Sequence, residues 1–199
     1  MNITVYCGSN PGRNPHFLDT AKELGEWIVR EGHTLVYGGS SVGLMGVVSQ
    51  TVLDLGGSVI GIEPRFFIEA GVAQNSLTEL HVVETMNERK AKMIELGDMF
   101  VTLPGGIGTL EEISEIMSRV RLGLGPSVCF ILNIDHYYDN FKNYLHDMFK
   151  EGFLDQVDLD RYRFADSMDE LAVLLDEEQE RPTKRFATAA ELDPITTKN

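Results

Sequence analysis

Short continuous apolar runs alternate along this chain with longer stretches in which apolar residues recur at helical spacing. Residues 3–7, 34–37, 58–62, 79–83, 99–103 and 128–132 read as strands, and 163–165 as a short last one. Between them the pattern predicts helices over 17–30, 44–55 and 87–96, then from the turn after Leu103 to about Leu122, and over 138–150 and 168–175. Leu18, Ala21, Leu24 and Ile28 share one face of the first helix, and Phe141, Leu145, Met148 and Phe149 are expected to face inward on a later one. Gly32 and Gly56-Gly57 are helix stops. The stretch 65–76 has no period and reads as a loop. Strands and helices alternating at this spacing form right-handed βαβ units. The expected fold is therefore α/β: a doubly wound, Rossmann-like parallel sheet of about seven strands with helices on both faces. Residues 1–180 are expected to form a single α/β domain. Residues 181–199, with Pro182, Pro194 and no firm period, read as a loose C-terminal tail.

In such a sheet ligands bind beyond the carboxyl ends of the strands. Glycine-bearing loops follow three strands, at Gly8, at Gly38-Gly39 and at Gly105-Gly106, and are expected to line one crevice. The richest is Pro104-Gly105-Gly106-Ile107-Gly108-Thr109-Leu110-Glu111-Glu112, between the run ending at Leu103 and a helix bearing Leu110, Ile113, Met117 and Val120. Glycines there let backbone N–H groups approach a ligand, and the positive end of the helix favours an anion such as a phosphate. The backbone N–H groups of this turn are the predicted cradle. Glu111 and Glu112 would then sit in the first helical turn beside it. Thr109 to Glu112 also fits a capping box, but a plain cap does not require three glycines before it.

Charge narrows the partners. The 199 residues carry a formal net charge of −14, which argues against a nucleic-acid surface but not against one nucleotide held by local dipoles and a few cations. Hydrophobic content of 43% and charged content of 24% are ordinary globular values. Cys7 and Cys129 lie in apolar runs and read as buried reduced thiols. With no signal segment and no run of membrane-spanning length, a soluble cytoplasmic protein is expected.

Familiar phosphate motifs fail. From Gly106 and Gly108 a dinucleotide fingerprint needs a glycine where Glu111 stands, and no lysine follows Gly43 as a Walker A loop requires. The histidines are scattered, without metal-ligand spacing. The stretch Asn87-Glu88-Arg89-Lys90-Ala91-Lys92 is more telling. Asn87 is expected to cap this helix, which would put Arg89 and Lys90 in its first turn, where cations are unfavourable. Two readings stand: a solvated basic face offset by Glu88, or an Arg89 or Lys90 that faces a ligand's anion.

Here the sequence resembles the LONELY GUY (LOG) family. The 104–112 stretch looks like its PGGxGTxxE signature, and Met86 to Met93 resembles the companion arginine–lysine motif. Gly38-Gly39-Ser40-Ser41-Val42-Gly43-Leu44-Met45-Gly46 is similar to its first glycine-rich loop, and Cys7-Gly8-Ser9 to the end of its first strand. The resemblance runs in order and spacing from Ile3 to Leu154. It implies hydrolysis of the N-glycosidic bond of a nucleoside 5′-monophosphate, a cytokinin riboside 5′-monophosphate or AMP, to free base and ribose 5-phosphate. It further implies a homodimer, a role in cytokinin biosynthesis, and no metal or organic cofactor. The catalytic pair would be Arg89 and Glu112, with Ser9, Gly39, Lys90, Gly105, Gly106, Ile107, Gly108, Thr109 and Ser118 binding substrate. Glu112 would stabilise oxocarbenium character at C1′ and orient or deprotonate water. Arg89 would steer the anion or assist the leaving base. The chain departs from the family pattern at Gly71 and Gln74, at Asn87, at Arg119 and Arg121, and in a shorter 123–127 loop, which leaves the base preference open. The competing reading is a non-catalytic nucleotide or cofactor carrier on the same fold.

Overall fold

In a computed structural model, which describes residues 1–74 and 76–179, the apolar runs become seven parallel strands in one sheet ordered β4-β3-β2-β1-β5-β6-β7. They are β1 (Asn2–Tyr6), β2 (Thr34–Tyr37), β3 (Ser58–Pro64), β4 (Glu79–Val83), β5 (Met99–Thr102), β6 (Cys129–Leu132) and β7 (Tyr162–Ala165). The helices are α1 (His16–Arg30), α2 (Gly43–Asp54), α3 (Arg65–Glu69), α4 (Met86–Leu96), α5 (Ile107–Leu122), α6 (Asp139–Lys150), α7 (Gln156–Leu159) and α8 (Met168–Gln179). The fold is the expected doubly wound α/β sheet. The expected tail lies outside the described residues. Among the described residues, no helix is long and apolar enough to cross a membrane.

Both faces of the central strands are covered, so β5 and β6 are buried at every position. Alternation in β1 splits its side chains between two cores. Ile3, Val5 and Cys7 join Leu24 and Ile28 of α1, Val48 of α2 and Leu171 of α8. Tyr6 points the other way, into Met93 of α4, Ile113 and Met117 of α5, and Leu145 of α6. The chain builds outward from β1 to β4, then returns to place β5 on the other side of β1. The order therefore reverses between β1 and β5, where a doubly wound sheet opens its ligand crevice. The two strand ends are stitched there by Leu103 N–H donating to Tyr6 O (2.9 Å) and Gly8 N–H to Pro104 O (3.0 Å).

Several local expectations are corrected. The stretch 65–76 is not all loop: α3 forms directly after Pro64, and α7 forms where no element was expected. Each is about one turn long, too short to show a period. Phe149 is exposed rather than inward. Helix α4 is capped by Thr85, whose hydroxyl accepts from Glu88 N–H (3.1 Å), not by Asn87. Glu88 returns a carboxylate to Glu84 N–H (2.8 Å). Glu88 is thus the charge of the first turn, and Arg89 and Lys90 begin the second, where the unfavourable dipole interaction has faded.

Candidate active site

Helix α5 starts earlier than a Thr109 cap would have it. Its N-cap is Gly106, and its first hydrogen bond runs from Leu110 N–H to Gly106 O (3.0 Å). The N–H groups of Ile107, Gly108 and Thr109 therefore have no intrahelical partner and open toward the crevice. The capping-box reading is replaced: Glu111 and Glu112 lie beyond the first turn, and Thr109 and Glu112, three residues apart, share one face. Gly105 is required by packing, because a Cβ there would run into the Thr109 side chain. At Gly106 and Gly108 a Cβ would meet no protein atom within 4 Å. Both positions face open space and line the cavity. Tyr137 closes the loop's rim, donating its hydroxyl to Gly105 O (2.5 Å).

Arg89 reaches the same crevice from α4. Its Nε donates to Ile62 O (3.2 Å) and its Nη2 to Gly38 O (2.9 Å), at the ends of β3 and β2. Nη1 is left 3.8 Å from Glu112 Oε1. Arg89 is 6% exposed and Glu112 9%. Burial pushes the Glu112 carboxyl up to about 7, against the opposing pull of Arg89. A carboxyl poised near neutrality beside a fixed cation has the protonation behaviour of a general base. Lys90 lines the cavity too, but its ammonium is matched by Glu111 (2.7 Å) and Glu115 (3.2 Å), which hold its pKa up.

The cavity has a volume of about 880 Å³, within the usual range for small-molecule sites. It brings together Ser9, Arg89, Lys90, Glu112 and the 105–109 loop, with Ile107 82% exposed at its mouth. Two expected residues lie elsewhere. Ser118 is on an exposed part of α5, away from the cavity lining. Gly39 is also absent from the lining. It adopts φ +83°, and a Cβ there would collide with the Glu63 carboxylate. Gly38 performs the equivalent service for Arg89, whose guanidinium occupies the space of a Cβ. Gly38 and Gly39 thus make room for two charged side chains, while Ser40, Val42, Leu44 and Met45 of the same loop line the cavity.

Glu63 itself was not among the expected residues. It sits at the end of β3, 1% exposed, and lines the cavity. Burial pushes its carboxyl up to about 7, with Arg89 pulling the other way. The available signal was a lone acid in the apolar run Val59-Ile60-Gly61-Ile62-Glu63-Pro64. Of the departures from the family pattern, Arg119 pairs with Glu115 (3.1 Å) and Arg121 with Asp158 (3.1 Å), both outside the cavity lining. Among the described residues, no group of three His, Cys, Asp or Glu side chains could hold a metal ion.

Known proteins resemble this chain over most of its length. Residues 45–175 match the family model described as "Possible lysine decarboxylase". The chain is 44% identical over 154 residues to a cytokinin riboside 5′-monophosphate phosphoribohydrolase of Rhodococcoides fascians, covering 77% of this chain and 78% of that one. It is 43% identical over 152 residues to the cytokinin riboside 5′-monophosphate phosphoribohydrolase LOG of Oryza sativa subsp. japonica, covering 76% and 63% respectively. Among solved structures, the molybdenum cofactor binding protein of Rippkaea orientalis superposes with a TM-score of 0.68 at 22% identity, over 88% of this chain and 95% of that one. At that identity the likeness is one of fold.

Proposed function

The chain belongs to the LONELY GUY family, the one whose model is described as possible lysine decarboxylase, and from that membership we propose that it is a nucleoside 5′-monophosphate phosphoribohydrolase. The substrate is a cytokinin riboside 5′-monophosphate or AMP, and the products are free base and ribose 5-phosphate. One observation carries the reading: the buried Arg89–Glu112 pair stands on the same cavity as the unpartnered N–H groups of α5. The 5′-phosphate sits on the Gly106–Thr109 amides. That anchor holds C1′ against Glu112, an orientation effect. As the C1′–N bond lengthens, positive charge builds on the ribose and the Glu112 carboxylate stabilises it while taking a proton from the attacking water. Arg89, held by two backbone carbonyls, keeps a fixed positive charge beside that carboxylate.

Decarboxylation of lysine fits the site poorly. A Schiff-base lysine needs a lowered pKa, whereas the cavity's Lys90 is held charged by Glu111 and Glu115. A carrier would need the cradle but not a carboxyl poised near neutrality. Incubation with AMP and with isopentenyladenosine 5′-monophosphate, followed by quantification of free base and ribose 5-phosphate, separates the readings. Tight nucleotide binding without product would establish the carrier instead.

The functional unit is a homodimer. Leu122, Phe153 and Val157 are exposed apolar side chains on α5, beyond α6 and on α7, and the Arg121–Asp158 ion pair ties α5 to α7. A second copy is the natural cover for such a surface. Sedimentation of the purified protein at the monomer mass would refute it. The two free buried thiols suit a reducing compartment and support a cytoplasmic location, which fractionation of producing cells tests.

A further inference from the structure

Hydrolysis of a purine N-glycosidic bond needs two proton movements. Water gives up one on its way to C1′, and the base takes one up as it departs, because an anionic purine is a poor leaving group. Glu112 accounts for the first. The second needs a donor among the ionisable groups on the cavity. Arg89 cannot supply it, since a guanidinium does not release its proton in proteins and two of its nitrogens are bound to carbonyls. The Lys90 ammonium lies between two carboxylates, one of them Glu111. Tyr137 spends its hydroxyl proton on Gly105 O, and burial makes the Cys7 thiol a very weak acid. Glu63 remains.

Its placement suits the task. Going from β5 to β3 crosses β1 and β2, three strand spacings or roughly 14 Å along the sheet, comparable to the length of a nucleoside monophosphate. A phosphate over the start of α5, with its ribose against Glu112, therefore sends the base toward Glu63. The walls on that side are Met45, Phe67, Ala70, Val72 and Met86. Apolar walls around one carboxyl suit a flat heteroaromatic ring with a polar edge. The arrangement also has no structural return. Glu63 Oε2 is buried without a hydrogen-bond partner among the described residues, and Gly39 takes a left-handed conformation against it. An unpartnered buried carboxyl destabilises a fold.

We propose that Glu63 is the general acid of this site, passing its proton to a ring nitrogen of the departing purine. The proposal rests on the phosphoribohydrolase reading. The C1′–N9 bond breaks and its electron pair goes to the purine, which takes the Glu63 proton at N7. Water bonds to C1′ and its proton goes to Glu112. The products are the neutral base and ribose 5-phosphate. Exchange with solvent returns Glu63 to the acid and Glu112 to the carboxylate.

The test compares two leaving groups on the full-length protein: AMP, and the 5′-phosphate of p-nitrophenyl riboside, whose phenolate leaves without protonation. Glu63→Gln is expected to lower kcat on AMP by about 100-fold or more while changing the nitrophenyl substrate by no more than about threefold. Turnover of the nitrophenyl substrate also reports that the variant is folded. Glu112→Gln should slow both. A second readout needs no variant. With wild-type protein, kcat/KM on AMP should fall as pH rises above about 7, where Glu63 ionises, and that fall should be missing with the nitrophenyl substrate. The ionisable groups facing Glu63 are Arg89 from α4 and Tyr37 from β2, and burial holds the Tyr37 hydroxyl protonated well above that range. Equal slowing of both substrates by Glu63→Gln, or of neither, overturns the proposal and leaves the hydrolase standing. Wild-type protein that releases product from neither substrate removes the hydrolase reading and this proposal together.

Discussion

Arg89 Nη1 stands 3.8 Å from Glu112 Oε1, with less than a tenth of either residue exposed. The pair is too long for a good hydrogen bond, and burial of both charges offsets most of its attraction. It is therefore a weak source of stability. Its geometry makes sense as a site held open: Arg89 is anchored by the carbonyls of Ile62 and Gly38, leaving the carboxylate free to engage something between or beside them.

That anchoring separates two substitutions that look equivalent in the sequence. Glu112→Gln keeps shape and removes the base, so kcat should fall by about 10²–10⁴-fold, with little change in melting temperature at pH 5, where the folded Glu112 still holds its proton. Arg89→Ala removes the partner of two buried carbonyls and leaves Glu112 uncompensated, so it should also cost on the order of 3 kcal/mol of stability. Thermal denaturation measured beside activity checks both. A melting temperature unchanged in Arg89→Ala would mean that the guanidinium is not anchored as described.

The acid limb of activity belongs to Glu112. Its carboxyl is pushed up to about 7 by burial, and water activation needs the ionised form. The kcat/KM on AMP should therefore still be rising with pH as far as about 7, rather than level off near the ordinary carboxylate range, before the fall that Glu63 imposes. This rise should persist for the nitrophenyl substrate. A profile flat from pH 5 to 7 would remove Glu112 as the base.

The glycines of the α5 turn can be tested apart from the fold. An added Cβ at Gly106 or Gly108 meets no protein atom within 4 Å, and Gly106 has an extended backbone that alanine accepts. Gly108→Ala, inside a helix, should raise stability by about 0.5–1 kcal/mol. If the amides hold a phosphate, both methyl groups would crowd it. KM for AMP should then rise at least tenfold, by the order of a lost charge-assisted hydrogen bond. Folded variants with unchanged KM would place the phosphate elsewhere.

Much of this was legible in the sequence. Strand β4 occupies its expected residues, and α5 ends at Leu122 because Gly123 takes the left-handed cap, φ +68°. Helix starts were harder. Thr85 and Asn87 are both good capping residues, and only the Glu88 N–H contact to Thr85 decides between them. A glycine inside the first turn of α5 hid where that helix begins. Glu63 is hidden because the apolar run of β3 reads as ending at Ile62. Its significance lies in what it lacks, a partner, and unlike the motif glycines that leaves no mark in one sequence. Gly39 is ambiguous for a related reason. A glycine required by a neighbouring side chain looks the same as one required by a ligand.

Thr85 fixes where Arg89 stands, although it lies outside the cavity lining. Its hydroxyl caps α4 through Glu88 N–H, and Arg89 N–H donates to Thr85 O (3.1 Å). Thr85→Ala should cost about 1 kcal/mol of stability and loosen the turn that aims the guanidinium. Activity should fall through kcat with KM little changed, since the phosphate cradle is on α5. Thr85→Ser, which keeps the cap, should restore both.

Glu63 sets a stability dependence opposite in sign to the usual one for carboxylates. Its folded-state pKa is raised from 4.5 to about 7, so between those values the folded protein holds a proton that the unfolded chain has released. Stability must then fall as pH rises through that window, and above about 7 the folded state carries the full cost of a buried charge. Glu63→Gln removes that cost while keeping shape. The variant should gain roughly 1–3 kcal/mol over wild type at pH 8 and little at pH 5. For a chain of this size that is a rise of several degrees in melting temperature at the higher pH. The same substitution is expected to slow AMP hydrolysis, so stability and turnover should move in opposite directions at one position, as they do where a fold tolerates strain for the sake of a site. Equal melting temperatures for variant and wild type at pH 8 would show that the Glu63 carboxyl is solvated, and the destabilisation argued here would fall with it.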